Sequence, residues 1–181
     1  HESSDLPVDP RIHFGALESG LRYAWVHQPL AEDPAVHLRL HVAVGSLVEQ
    51  ESELGMAHFV EHMAFNGTKS FPAATLVSWF QDHGVRFGHD QNAHTGVDET
   101  AYELDLPDAE PERLKRSLAW LRDVADGIAF EEKEVTAEKG VIDAEERERD
   151  SAGMRLFAQV DAKLIEGTLL AKRWPIGKKA A

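Results

Sequence analysis

Cysteine is missing from all 181 residues. Its absence excludes disulfides, thiolate metal sites and thiol nucleophiles together. Basic charge is scarce: 19 Lys and Arg stand against 32 Asp and Glu, a formal net charge of -13. Binding nucleic acid depends largely on neutralising phosphates, so no nucleic acid partner is expected. The field of such a chain attracts basic or loosely structured peptides instead. Long apolar runs are missing too. None approaches the roughly 18 residues of a membrane-spanning helix, so no membrane span is expected. The first residues, His1-Glu2-Ser3-Ser4-Asp5, lack the basic and apolar pattern of an export signal, the look of a mature or trimmed chain.

What is present is ordinary in amount and unusual in detail. A hydrophobic fraction of 43% suffices for a real core, and the length suits one domain. Ten histidines are many for this length, and one pair has a spacing that calls for chemistry.

Residues 1–10 read as a polar lead-in, and 11–181 as a single domain whose end, around Trp174-Pro175-Ile176-Gly177, has no structural conclusion and looks cut. Residues 11–28 predict two short strands around Glu18-Ser19-Gly20. Val36, Leu38, Leu40, Val42 and Val44 alternate with polar residues, the period of a half-buried strand. A helix is expected over roughly 53–65, its stripe built from Met56, Val60 and Met63 and its end marked by Asn66-Gly67. A second helix follows Phe71-Pro72 with Leu76 and Phe80 inward. Strands are expected over 85–94 and 97–106, then helices over about 111–126, 130–149 and 153–165. Strands, two helices, two strands and three helices predict an α+β fold: a two-layer sandwich of mostly antiparallel sheet with helices on one face.

The informative segment is His58-Phe59-Val60-Glu61-His62. Residues four apart share a helix face with β-carbons roughly 5–6 Å apart. Two imidazoles so placed reach one zinc ion at about 2.0–2.1 Å each. Glu61 points to the same side, near enough to take a proton from a water held there. The bland alternative is a solvated face carrying two histidines and an acid. A catalytic zinc site also needs a third protein ligand and an open position. Without cysteine, the third ligand is His, Asp or Glu. On the charged helix, Val135, Glu138, Ile142 and Glu145 fall within about a quarter of the circumference, an inward stripe with two carboxylates. Lys133, Lys139, Glu146, Arg147 and Glu148 are expected on its outer faces.

These stretches resemble a known family. Gly45-Ser46-Leu47-Val48-Glu49, the run from Gly55 through His58 and His62 to Thr68, Asn92-Ala93-His94-Thr95, Asp98-Glu99-Thr100-Ala101-Tyr102 and the run from Glu138 to Glu146 match the insulinase/pitrilysin-like metallopeptidases in order, particularly their bacterial periplasmic branch. The H-x-x-E-H order is that of the inverzincins. The resemblance implies the mitochondrial processing peptidase/LuxS-like metallohydrolase fold, a zinc endopeptidase holding one Zn2+, a periplasmic location and a peptide or unfolded polypeptide substrate. It assigns His58 and His62 as zinc ligands and Glu61 as general base. For the third ligand, the family's usual spacing lands on Glu138, whereas its local pairing of glutamates gives Glu145. Glu145 is taken as the ligand, because 86–91 reads as a short insertion, and Glu138 then orients a ligand or the water. Asn92, Ala93 and Phe65 fall on the substrate side, where an extended peptide adds as a strand. For Asn92 the competing reading is a turn residue.

The resemblance also implies a second homologous half or subunit supplying an Arg/Tyr pair. Without it, one half is inactive. Two other classes compete. S-ribosylhomocysteine lyases share the helix motif but need a metal-binding cysteine, which is absent here. Non-catalytic respiratory subunits share the fold but usually carry a degraded motif.

Overall fold

The computed structural model describes residues 7–28 and 34–177. The expectations for residues 1–6 and 178–181 lie outside the described residues. The chain divides into two compact units, 1–34 and 35–181.

In the first unit, β1 (Ile12–Ala16) pairs antiparallel with β2 (Arg22–Val26), with Gly15 opposite Tyr23. A Cβ on Gly15 would sit 2.3 Å from the Tyr23 ring, so that position accepts only glycine without a shift. His13 stacks on Trp25 with ring centroids 4.1 Å apart.

The second unit holds the core. Its sheet is antiparallel, in the order β3 (Val36–Val42), β5 (Thr100–Leu106), β4 (Gln91–Thr95). Alternation decides the faces. Tyr102, Leu104 and Leu106 of β5 are buried on one face, where Val36, Leu38, Leu40 and Val42 join them. His37, Arg39 and His41 face outward, with Glu103 and Asp105 beside them. On the apolar face lie α1 (Met56–Met63), α2 (Thr75–Asp82) and α3 (Pro111–Asp126), contributing Ala64 just past α1, Leu76, Phe80 and Trp120. Fully burying such a side chain contributes about 1.5–3 kcal/mol. Trp120 satisfies its one donor by donating Nε1–H to the carbonyl of Ala64 at 3.0 Å. This antiparallel sheet with helices on one side is the expected architecture.

Element boundaries differ for local reasons. α1 starts at Met56 because Gly55 before it has φ 87°, a left-handed conformation that breaks helical continuity. α2 begins at Thr75, since Phe71 is spent in a turn in which Thr68 N–H donates to its carbonyl at 2.7 Å. Of the strand expected over 85–94, only Gln91 onward joins the sheet. Residues 86–90 form a loop in which the Asp90 carboxylate accepts from the Arg86 amide at 2.9 Å and from its guanidinium at 2.7 Å.

The last helices are α4 (Glu132–Arg149) and α5 (Ala152–Leu164). The segment after α5 does have a structural destination. Arg173 is buried and pairs with Glu51 at 3.0 Å, and the Ser46 hydroxyl donates to the Arg173 carbonyl at 2.7 Å. Gly55 lies so close to that segment that a Cβ there would stand 3.1 Å from the Gly177 Cα. No helix among the described residues is long and apolar enough to cross a membrane.

Candidate metal centre

The site begins with how α1 is held. Its first N–H groups have no intrahelical partner. Glu49, itself buried, takes two amides at this end: Oε2 accepts from Gly55 N at 2.9 Å and Oε1 from Ala57 N at 2.8 Å. The loop before Glu49 is tied to the β4–β5 turn, where Leu47 N–H donates to the Val97 carbonyl at 2.7 Å. Gly45 passes so close there that a Cβ would meet the Gly96 carbonyl at 2.5 Å.

So fixed, α1 presents His58 and His62 on the face that meets α4. Their Nε2 atoms are 3.1 Å apart. Glu145 Oε2 from α4 lies 3.5 Å from each. These three residues form the one cluster of metal-binding side chains found among the described residues. A point equidistant from three atoms at those separations is about 2.0 Å from each by plane geometry, the length of a zinc bond to histidine nitrogen or carboxylate oxygen. Glu145 Oε2 is buried with no hydrogen-bond partner, while its Oε1 pairs with Arg149. A buried carboxylate oxygen without a donor is costly. A divalent cation at the equidistant point removes that cost, so the donor set fits zinc.

Glu138 has a different place. Its Oε1 accepts from His62 Nδ1 at 2.7 Å, and its Oε2 accepts from the Asn66 side-chain amide. The His62 hydrogen bond outweighs burial and holds the Glu138 carboxyl below its usual range. The same bond raises the pKa of His62. A carboxylate 2.7 Å from Nδ1 favours the proton on that nitrogen, which in the neutral ring leaves the Nε2 lone pair facing His58 and Glu145. His58 is pushed the other way, first by burial and then by the neighbouring imidazole.

Glu61 is buried beside this group, and burial raises its pKa. Thr95 donates its hydroxyl to Glu61 Oε2 at 2.6 Å. Neither Thr95 nor Asn66 carries an assigned role in the sequence reading. For Thr95 a signal existed, since Gln91, Ala93 and Thr95 alternate onto one side of β4.

On α4, Val135, Glu138, Ile142 and Glu145 are all half-buried, as a single inward stripe requires. Lys133, Lys139, Arg147 and Glu148 are exposed, but Glu146 is half-buried rather than outward. Asn92 is exposed on β4 and Ala93 half-buried. Phe65 is engaged with the core, its ring centroid 5.3 Å from that of Trp120 and 5.4 Å from that of Phe87.

The profile of Insulinase (Peptidase family M16) matches residues 26–173. Over 172 residues the chain is 40% identical to the "Probable zinc protease PqqL" of Escherichia coli, covering 95% of this chain and 18% of that protein. It is 34% identical over 164 residues to the "Zinc protease PQQL-like" of Arabidopsis thaliana, covering 91% of this chain and 17% of that one. The crystal structure of the first half of the periplasmic protease PqqL from Escherichia coli superposes with a TM-score of 0.89 at 40% identity, over 97% of this chain and 37% of that one. The chain thus spans under a fifth of the length of these curated relatives. Sequence and fold agree: the chain belongs to the insulinase family of peptidases, family M16.

Proposed function

We propose that this chain is the metal-binding domain of a zinc-dependent endopeptidase. The observation that carries the reading is the triangle of His58 Nε2, His62 Nε2 and Glu145 Oε2, with separations of 3.1, 3.5 and 3.5 Å, next to a buried carboxylate. His58, His62 and Glu145 hold the ion and Glu138 orients His62. The ion, when bound, polarises the scissile carbonyl and acidifies a water toward neutrality.

The protein's own groups do the rest. Glu61 takes a proton from the attacking water and returns it to the leaving amine, so no covalent enzyme intermediate is needed. Burial raises its proton affinity toward the range in which both transfers are easy. Thr95 occupies Oε2, which leaves Oε1 as the oxygen that receives the proton. The substrate is a peptide or unfolded polypeptide lying as an added strand along β4 near Asn92 and Ala93, with Phe65 backing that side. By analogy with the relatives, a second half completes the chamber and the compartment is the periplasm. The alternative is a half that binds zinc but cleaves nothing until its second half is present.

The test is cleavage of an unstructured peptide by this chain, alone and joined to its second half, with and without a zinc chelator. Hydrolysis that is lost on chelation and restored by zinc is expected in the complete assembly. Hydrolysis indifferent to chelator sinks the proposal. An assembly that retains stoichiometric zinc yet cleaves nothing moves the chain to the non-catalytic class.

A further inference from the structure

We propose that Asn66 is a positioning residue for the metal centre, acting through Glu138 on both His62 and Glu145; the inference rests on the zinc reading above. Asn66 lies beyond the end of α1, but the backbone there keeps turning. Phe65 N–H donates to the His62 carbonyl at 3.1 Å, and Asn66 N–H to the Met63 carbonyl at 3.1 Å. This tight turn brings the Asn66 side chain, four residues after that of His62, to the same carboxylate. The two side chains grip one carboxylate: His62 Nδ1 on Oε1 at 2.7 Å and the Asn66 amide on Oε2.

A carboxylate bound through one oxygen can swing about its own bond and carry the imidazole with it. Bound through both, it has one orientation. The donor on the second oxygen is a neutral amide, so it offers nothing to compete for the ion.

The grip reaches further than His62. Glu138 and Glu145 lie on one stripe of α4, two turns apart. Fixing Glu138 against the end of α1 sets the height of α4 along α1, and with it the level at which Glu145 Oε2 arrives. Groups that orient a metal ligand from behind typically account for 10–100-fold in metal affinity.

The experiment uses this chain as it stands. Zinc affinity is measured by competition with a chromogenic chelator for the wild type, Asn66→Ala and Asn66→Asp. The tautomer of His62 is read in the zinc-free chain by 15N NMR, and thermal melting reports folding. Asn66→Ala is expected to weaken zinc binding about 10–100-fold, as such outer ligands do, and to reduce the population of His62 with its proton on Nδ1. Asn66→Asp, nearly isosteric but repelling Glu138, is expected to weaken it further. It serves as the decisive variant if Asn66→Ala fails to fold. Affinity within about twofold of wild type in a folded variant, with the tautomer unchanged, overturns the proposal. A change in melting alone marks Asn66 as a turn residue and overturns it equally. Wild type that takes up no zinc refutes the metal centre itself, and the zinc-free tautomer then judges the link from Asn66 to His62 by itself.

Discussion

At the residue scale, the centre assigns separate tasks to chemically identical groups. Three glutamates meet two imidazoles, and surroundings decide what each does. Glu145 presents an oxygen with no donor, Glu138 is saturated by two donors, and Glu61 is buried with one hydroxyl. Glu61→Gln is expected to keep zinc and lose hydrolysis, and metal analysis beside a peptide assay checks both halves of that statement. Turnover comparable to wild type removes Glu61 as the base. Thr95→Val deletes a hydrogen bond to a charged group, an interaction of about 1.5–3 kcal/mol. A fall in kcat of about tenfold or more is expected, with KM and zinc content little changed and recovery in Thr95→Ser. A rise in KM alone would place Thr95 with the substrate instead. The spacing of His58, Glu61 and His62 was legible because it depends only on the helical period. Thr95 and Asn66 were not, because each meets its carboxylate across a gap in the chain: 34 residues for Thr95 and 72 for Asn66.

At the element scale, two carboxylates act as fasteners. Glu49 closes the start of α1, and Asp123 of α3 accepts from Thr68 Oγ1 at 2.9 Å and Ser70 N at 2.6 Å in the loop that follows α1. Glu49→Ala leaves two amides unpaired in a part-buried place, at a cost of about 1–3 kcal/mol each if no water reaches them. A lower melting temperature and weaker zinc binding are expected together, because the same helix start positions His58. Unchanged melting would show the amides to be satisfied otherwise. Burial alone would raise the Asp123 carboxyl, but hydrogen bonds from Ser70 and Thr68 outweigh it and hold the group below the usual carboxylate range. A depressed folded pKa means stability that is fully present above the unfolded value and lost as pH falls through the folded one. The stability gap between wild type and Asp123→Asn is therefore expected to be widest above about pH 4 and to shrink on further acidification, as denaturant titrations at several pH values would show. A gap independent of pH would contradict an ionised Asp123. The segment over 86–90 shows what sequence pattern misses at this scale: a strand is expected from residue 85, but β4 starts only at Gln91, because the Arg86–Asp90 pair closes the residues before it into a loop.

At the scale of the whole molecule, a chain with net charge -13 brings one carboxylate, that of Glu145, against two imidazoles at a single point. Its Oε2 is buried with no donor, a cost that a cation at that point removes. Zinc in hundredfold excess over its dissociation constant is expected to stabilise the fold by about 2.7 kcal/mol, read as a rise in melting temperature that chelator reverses. His62→Ala should abolish the rise, and a variant that keeps it would break the ligand assignment. The chain spans 18% of its Escherichia coli relative, so the proposed hydrolysis is to be sought in a longer chain or assembly.

The sequence by itself determined the class of fold, the order of its elements and the sharing of one helix face by two imidazoles and a carboxylate, because hydrophobic period and helical pitch are local properties of the backbone. Only the tertiary structure decided that Glu145 Oε2 stands equally far from both imidazoles while Glu138 turns to His62 Nδ1. Both glutamates lie on one stripe of α4, and their separation into two roles depends on the height at which α4 packs against α1. That height comes from contacts between residues more than 70 positions apart, which no local spacing encodes.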